Sequence, residues 1–300
     1  MTVIPVIVGP TAVGKTAISI RVAESLGAEI ISADSRQIFR ELSIGTAKPS
    51  ATELAAVRHH FVDERTITER YSAGIFQRDA TERIDELALR GTAAVVAGGS
   101  TLYVHALLFG LNDIPDVDPA VVDSTNQELA VHGATHLHNE LRILDPESAA
   151  RIDPTKSHRI VRALSVVRAT GRPIGTYFGD RTPSARYRVF FLELDRRELY
   201  RRIDQRVDSM LEAGLVSEVR QIATAGFDPS LQPLQSIGYK EMFEHLDGQP
   251  LDVTIRLIKR NSRRYAKRQL TWFRRYENVT RIPADRPLAD IADTIMAAVT

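Results

Sequence analysis

Gly9-Pro10-Thr11-Ala12-Val13-Gly14-Lys15-Thr16 is the stretch whose reading decides the fold. An apolar run, Val3 to Val8, precedes it as a buried strand, and Ala17 to Leu26 follows as a helix. Strand, G-x-x-x-x-G-K-[ST], helix is the phosphate-binding loop in the context that gives the motif meaning. Gly9 and Gly14 allow the backbone to curl so that successive N–H groups face phosphate oxygens. The helix N-terminus adds its positive dipole end, Lys15 a point charge, and Thr16 a hydroxyl suited to Mg2+. The loop is therefore expected to hold a di- or triphosphate group.

Working outward, Gly27 caps the first helix, and Ala28 to Ser32 reads as a second strand. Asp34 follows directly. In an open α/β sheet, groups at the carboxyl ends of strands handle the ligand, so Asp34 should face the phosphate loop as a base or a metal ligand, or else cap the next turn. Tyr71 to Leu89 has helical periodicity, and Thr92 to Ala97 is a third buried strand running into Gly98-Gly99-Ser100. Those glycines permit either close approach to a ligand or a packing turn. Adjacent His59 and His60 point to different sides of any regular element, which argues against a shared metal.

Strand–helix alternation stops at Asn112 and resumes at Tyr187 to Leu194. The expected architecture is α/β, a P-loop core with a mostly parallel sheet flanked by helices (residues 1–112 and 184–300), plus a helical insertion domain at 113–183. His132, His136 and His138 lie in the insertion without an identifiable third ligand, so surface histidines are expected. Arg159, Arg162 and Arg168 fall near one face of a helix there. Arg196 to Ala213 is an amphipathic helix with Arg202 and Arg206 at i, i+4, Asp204 and Asp208 being available to pair with them. A long helix from about Asp252 to Tyr276 sets Ile255, Ile258, Leu270 and Phe273 toward the core and Arg256, Arg260, Arg263, Arg264 and Lys267 elsewhere. Val279 to Ile282 and Leu288 to Val299 close the chain as strand and helix.

Composition bounds the function. The net charge of +1 conceals a segregation: Ile255 to Tyr276 has nine basic residues and no acid, while Asp113 to Asp153 has nine acids against two basics. A local excess of this kind marks a polyanion-binding face or a solvated helix. Cysteine is absent, which excludes disulfides and cysteine-based metal or redox chemistry. Met1 to Pro5 has no basic leader region and no apolar run spans a membrane, so a soluble, cytoplasmic protein is expected; a monomer is expected as well.

Taken together, GPTAVGKT, SADSRQIF, IGTAKP, HH, YSAGIFQRDA, AGGSTLYVHALLFGL, SHRIVRAL, RIDQRVDSMLEAGL, QSIGYKE and AKRQLTWFR, in that order, resemble the bacterial tRNA dimethylallyltransferases over nearly the whole chain. The resemblance implies transfer of a dimethylallyl group from dimethylallyl diphosphate to N6 of the adenine 3′ of the anticodon in tRNA, with Mg2+ as cofactor. It implies that Gly9, Pro10, Thr11, Ala12, Val13, Gly14, Lys15 and Thr16 hold the diphosphate, with Thr16 on the metal, and that Asp34 is the base. Lys15 and Arg202 would serve the leaving group. Contacts to tRNA would come from Asp34, Ser35, Arg36, Gln37 and Ser100, and from His158, Arg159, Ile160, Val161 and Arg162. Further contacts would come from Gln235, Ser236, Ile237, Gly238, Tyr239 and Lys240, and from Lys267, Arg268, Gln269, Trp272 and Arg274. The chain departs from the family pattern at Ser100 (usually Thr), Arg36 (usually apolar), Phe39 (usually Tyr) and Val122 (usually Arg).

Three other functions share parts of this pattern. A small-molecule kinase has the same strand, loop and second-strand Asp, but the arginine-rich lid is missing and the basic helix would have no purpose. A prenyltransferase of free adenine nucleotide would need neither the insertion nor AKRQLTWFR. A non-catalytic RNA-binding protein leaves the full phosphate loop and Asp34 unexplained.

Overall fold

The computed structural model describes residues 3–179 and 182–299. Met1 and Thr2, part of the stretch read for a leader, lie outside them. In chain order the elements are β1 (Ile4–Val8), α1 (Lys15–Leu26), β2 (Ala28–Ser32), α2 (Ala51–Ala56), β3 (His59–His60) and α3 (Ala73–Leu89). Next come β4 (Ala93–Gly98), α4 (Thr101–Phe109), α5 (Pro119–Leu144), α6 (Pro146–Arg151) and α7 (Ser157–Thr170). The chain ends through β5 (Tyr187–Glu193), α8 (Arg196–Glu212), α9 (Leu215–Thr224), α10 (Tyr239–Leu246), α11 (Leu251–Phe273), β6 (Val279–Pro283) and α12 (Leu288–Val299).

The strands form one sheet in the order β3-β2-β4-β1-β5-β6, and every pairing is parallel. Buried on both faces, β1 has all five residues inside, which is why it reads as an uninterrupted apolar run. Ile7, Phe190, Leu192 and Ile282 from the sheet pack with Ile18 and Val22 of α1, Leu199 and Ile203 of α8, and Ile291 and Ile295 of α12. Since β4 and β5 flank β1 on opposite sides, the crevice beyond the carboxyl end of β1 lies where ligands bind in open α/β sheets.

Two compact units divide the chain. One comprises the residues up to Phe109 and from Pro183 onward; the other is Gly110–Thr182. The second unit is helical, with Leu137 and Leu141 of α5 packed on Ile160, Leu164 and Val167 of α7. A kink at Gly133 (φ 78°) divides α5.

Several boundaries differ from expectation. Helix α1 begins at Lys15, two residues early, because Gly14 at φ 102° ends the loop abruptly and the motif's own lysine and threonine enter the first turn. Strand β3 escaped the sequence reading: two residues are too few to show a period, and pairing with Ile30 and Ile31 of β2 is what extends them. Helix α11 runs from Leu251 to Phe273, so Tyr276 lies beyond it, and Ala266 and Gln269 are buried on its inner face while Ile255 is only partly covered.

Candidate active site

The loop after β1 carries an unusual backbone. Ala12 at φ 63° and Gly14 at φ 102° are both left-handed, and a side chain at Gly9 would meet the Leu192 carbonyl at 3.0 Å. Strain of this sort at a non-glycine residue persists only where the surroundings enforce it, and it concentrates at ligand sites. Among the described residues the N–H groups of Ala12, Val13 and Gly14 have no protein acceptor. The Thr11 N–H instead donates to Gln269 Oε1 at 2.9 Å, so that amide is not turned to a ligand.

Lys15 folds back over the loop, donating to the Gly9 and Pro10 carbonyls at 3.1 and 2.8 Å. Its pKa is pushed down to about 8, chiefly by burial and further by the Arg206 guanidinium, against the pull of Asp34. Arg206 is likewise lowered by burial while Asp34 favours its charge, and its Nη2 donates to the Thr46 carbonyl at 3.1 Å. Three elements thus bring Lys15, Arg206 and Asp34 into mutual electrostatic range.

Asp34 sits two residues past the buried end of β2. Its Oδ1 accepts from the Arg36 N–H at 2.9 Å and the Gln37 N–H at 3.4 Å, the turn-capping geometry that sequence position allowed. Oδ2 accepts no protein hydrogen bond among the described residues. Capping and proton acceptance are therefore compatible, one oxygen for each. The neighbouring Ser100 Oγ accepts from Ser35 N–H at 2.8 Å and donates to Ser35 Oγ at 3.1 Å, tying the β4–α4 turn to the β2 turn. Arg36 donates from Nη1 to the Ser35 carbonyl at 3.1 Å and to Gln232 Oε1 at 3.0 Å. Burial lowers its pKa, with Asp34, Tyr103 and Tyr265 opposing. Tyr265 is pushed up to about 12, first by burial and then by Asp34, so its hydroxyl stays protonated at neutral pH.

The twin glycines resolve toward packing. A Cβ on Gly98 would run into the Ala33 backbone, and one on Gly99 would meet Gln269 Nε2 at 2.6 Å. Gln269, read from sequence as a tRNA contact, is 2% exposed, and its amide nitrogen donates to the Gly99 carbonyl at 2.8 Å. Its side chain ties the loop after β1 to the β4–α4 turn from a buried position. Tyr239 is fully buried, donating to Glu218 at 2.6 Å, and the Ile160 and Val161 side chains belong to the core of the insertion. Gln37 donates to the Thr46 and Ala47 carbonyls at 3.3 and 3.1 Å.

Arg202 departs from expectation too. Its Nε donates to Glu198 at 2.8 Å on its own helix, whereas Arg206, one turn later, is the α8 arginine facing Lys15 and Asp34. The i, i+4 spacing had marked both, and only tertiary placement separates them. Arg168 is also removed from any RNA face: it pairs with Glu128 and Glu140 at 2.7 Å, and those hydrogen bonds raise its pKa. His158, Arg159 and Arg162 remain exposed on α7, and Gln235 and Lys240 are exposed in the first unit, where Ser236 and Ile237 are partly covered and Gly238 is buried.

On α11, Lys259 pairs with Asp208, Arg263 with Asp204, and Arg256 with Asp252. Arg264, Lys267 and Arg268 are exposed with no acid partner among the described residues. Trp272 donates to the Tyr276 hydroxyl at 3.3 Å, and Arg274 lies 3.8 Å from Glu193. No group of three or more metal-ligating His, Cys, Asp or Glu side chains occurs among the described residues; His138 bonds the Ala149 carbonyl at 3.0 Å, and His60 lies between Glu29 and Arg83, each at 2.6 Å. No described helix is long and apolar enough to cross a membrane.

Comparisons with known proteins bear on this arrangement. A family model described as IPP transferase matches residues 37–276. A tRNA dimethylallyltransferase of Salinibacter ruber is 51% identical over 274 residues, covering 90% of this chain and 85% of the relative. One from Chlorobium luteolum is 43% identical over 293 residues, covering 94% and 96%. The crystal structure of the full-length tRNA isopentenylpyrophosphate transferase from Bacillus halodurans superposes with TM-score 0.73 at 39% identity, covering 100% of this chain and 97% of the other. A eukaryotic dimethylallyltransferase acting on tRNA gives TM-score 0.82 at 26% identity, covering 95% and 74%.

Proposed function

Because the chain belongs to the IPP transferase family, we propose that it transfers a dimethylallyl group from dimethylallyl diphosphate to N6 of the adenine 3′ of the anticodon in tRNA. It is a tRNA-modifying prenyltransferase. The observation that carries the residue-level mechanism is the gathering of Lys15 and Arg206, neither neutralised by a bonded carboxylate, beside an Asp34 with one oxygen to spare.

The diphosphate lies on the Ala12, Val13 and Gly14 amides at the N-terminus of α1, between Lys15 and Arg206. As the C1–O bond breaks, negative charge grows on the departing diphosphate, where these fixed donors stabilise it most. The exocyclic amine is a weak nucleophile and must be held in line with C1. Asp34 Oδ2 accepts the amine hydrogen bond and takes the proton as the N–C bond forms, yielding N6-dimethylallyladenine and diphosphate.

Hard oxygen donors suit Mg2+, and the Thr16 hydroxyl makes no side-chain hydrogen bond of its own among the described residues. Thr16 would hold the ion together with diphosphate oxygens and water, which fits a site lacking a cluster of carboxylates. The ion would supply further neutralisation of the leaving group.

The target adenine must leave its stack, costing a few kcal/mol, least in a loop. Tyr265, half-buried beside Asp34, offers it aromatic surface. Arg264, Lys267 and Arg268 on α11, and His158, Arg159 and Arg162 on α7, offer cations for the anticodon stem-loop phosphates. Labelled dimethylallyl diphosphate mixed with tRNA, AMP or no acceptor is the test. Label should enter tRNA alone, and entry into AMP or turnover of ATP at a comparable rate would refute the assignment.

A further inference from the structure

Residues 43–47, late in the connection between β2 and α2, carry no ligand assignment from the sequence, yet their backbone is held by an unusual clamp. Glu218 on α9 accepts three consecutive amides: Ser43 N–H at 3.1 Å, Ile44 N–H at 2.7 Å and Gly45 N–H at 3.3 Å. It also accepts the Tyr239 hydroxyl at 2.6 Å. Successive amides converging on one point form a nest for an anion, and here a side-chain carboxylate fills it. Tyr239 completes the clamp sterically, since a Cβ on Gly45 would stand 2.5 Å from its ring.

The geometry beyond the clamp leads into the active site. With the amides of residues 43–45 turned to Glu218, the Thr46 carbonyl faces Arg206 and Gln37. That carbonyl is the one protein acceptor bonded to Arg206 among the described residues. Ala47 next to it adopts φ 46°, a left-handed conformation costly to a residue with a Cβ. Such a backbone relaxes when its restraints go, and Glu218 holds three consecutive amides of this loop.

We infer that Glu218 is a positioning residue for the diphosphate-binding arginine, acting through the 43–47 loop to set where the Arg206 guanidinium points. The inference rests on the reading of Arg206 as a leaving-group residue. It also reassigns Tyr239: its hydroxyl steadies the carboxylate and does not address RNA. A shape-only role for Glu218 would alter stability and nothing else. A positioning role must alter diphosphate affinity and vanish once Arg206 is gone.

Binding of dimethylallyl diphosphate to the full chain separates these. Glu218→Gln should raise its Kd about tenfold, the worth of a lost charge-assisted hydrogen-bond set. Affinity for tRNA should stay within twofold. Tyr239→Phe keeps the ring against Gly45 and removes one bond, so about a threefold loss is expected; it serves as the readout should Glu218→Gln fold poorly. Arg206→Ala should lose more than either, and adding Glu218→Gln to it should change Kd no further. If Arg206→Ala weakens binding while Glu218→Gln and Tyr239→Phe leave Kd unchanged, or if the losses add, the positioning role is overturned and the function stands. If Arg206→Ala itself has no effect, the leaving-group role of Arg206 and the positioning role built on it both fall.

Discussion

Lys15 and Arg206 stand half-buried with no carboxylate bonded to either, whereas Arg256, Lys259 and Arg263 on α11 each hold an acid. Both groups lie in one unit, and Lys15 and the α11 cations both read from sequence as polyanion binders. The difference lies in what neutralises them. A cation paired with a protein acid keeps its partner whether or not a ligand arrives. One left uncompensated in a half-buried crevice is lowered in pKa by burial, and a bound anion relieves that cost. Positive charge in a sequence therefore says little until its acids are placed.

The largest effect should come from the anion inside the pocket. Asp34→Asn retains Oδ1 for the Arg36 and Gln37 amides, so the turn should hold, while the proton acceptor is lost. Single-turnover prenylation should fall by roughly 10²–10⁴ with both substrates bound within a few-fold of wild type. If donor affinity falls and added Mg2+ restores the rate, Asp34 is a metal ligand and the assignment of the base is wrong.

Next in size is the contrast between two arginines one turn apart. Arg206→Ala should weaken dimethylallyl diphosphate binding by roughly a hundredfold, as expected when a buried charge partner is truncated. Arg202→Ala, removing a residue already paired with Glu198, should change it less than about twofold. Equal losses would erase the distinction drawn here between paired and uncompensated charge.

Lys15 adds a pH signature. Its free-state pKa is lowered to about 8, and a bound diphosphate must raise it, because the anion favours the ammonium. Binding is thus tightest below pH 8 and weakens above it, approaching tenfold per pH unit until the bound-state pKa is reached. The donor's own last ionisation, near ~6 for phosphate monoesters, lies below this window. Isothermal titration from pH 7 to 10 should show the slope in wild type and none in Lys15→Met. A flat wild-type profile would place the ammonium elsewhere than on the diphosphate.

Much of this was legible beforehand. The apolar run of β1 was legible because a fully buried parallel strand leaves an uninterrupted pattern, and the glycines after it marked the left-handed turn. The position of Asp34 beside Lys15 was legible because strand ends in an open α/β sheet converge on one crevice. Arg206 was not separated from Arg202, since helical spacing places both on one side and only the 43–47 loop singles one out. Gln269 resembled its exposed neighbours Lys267 and Arg268, and burial of a polar amide between two loops leaves no periodic trace. Strand β3 is too short for any period to register.

The smallest effect tests the surface group directly. Counterion release makes log K for RNA fall with log salt by about 0.7 per single-strand phosphate contact. Arg264, Lys267 and Arg268 are exposed and without an acid partner among the described residues, so replacing all three with Ala should reduce the slope by about 2. Replacing Lys259 and Arg263 removes as much formal charge per residue, yet both are engaged with Asp208 and Asp204 on α8. RNA contact by either would have to release its acid, which then repels phosphate, so the slope should change by less than about 0.5. The double variant should instead lose helix–helix pairing worth about 0.2–1 kcal/mol per ion pair, read as a small drop in the denaturant midpoint. If the double variant flattens the salt dependence as much as the triple one does, the paired cations open to RNA and the division of α11 into a structural half and a binding half fails.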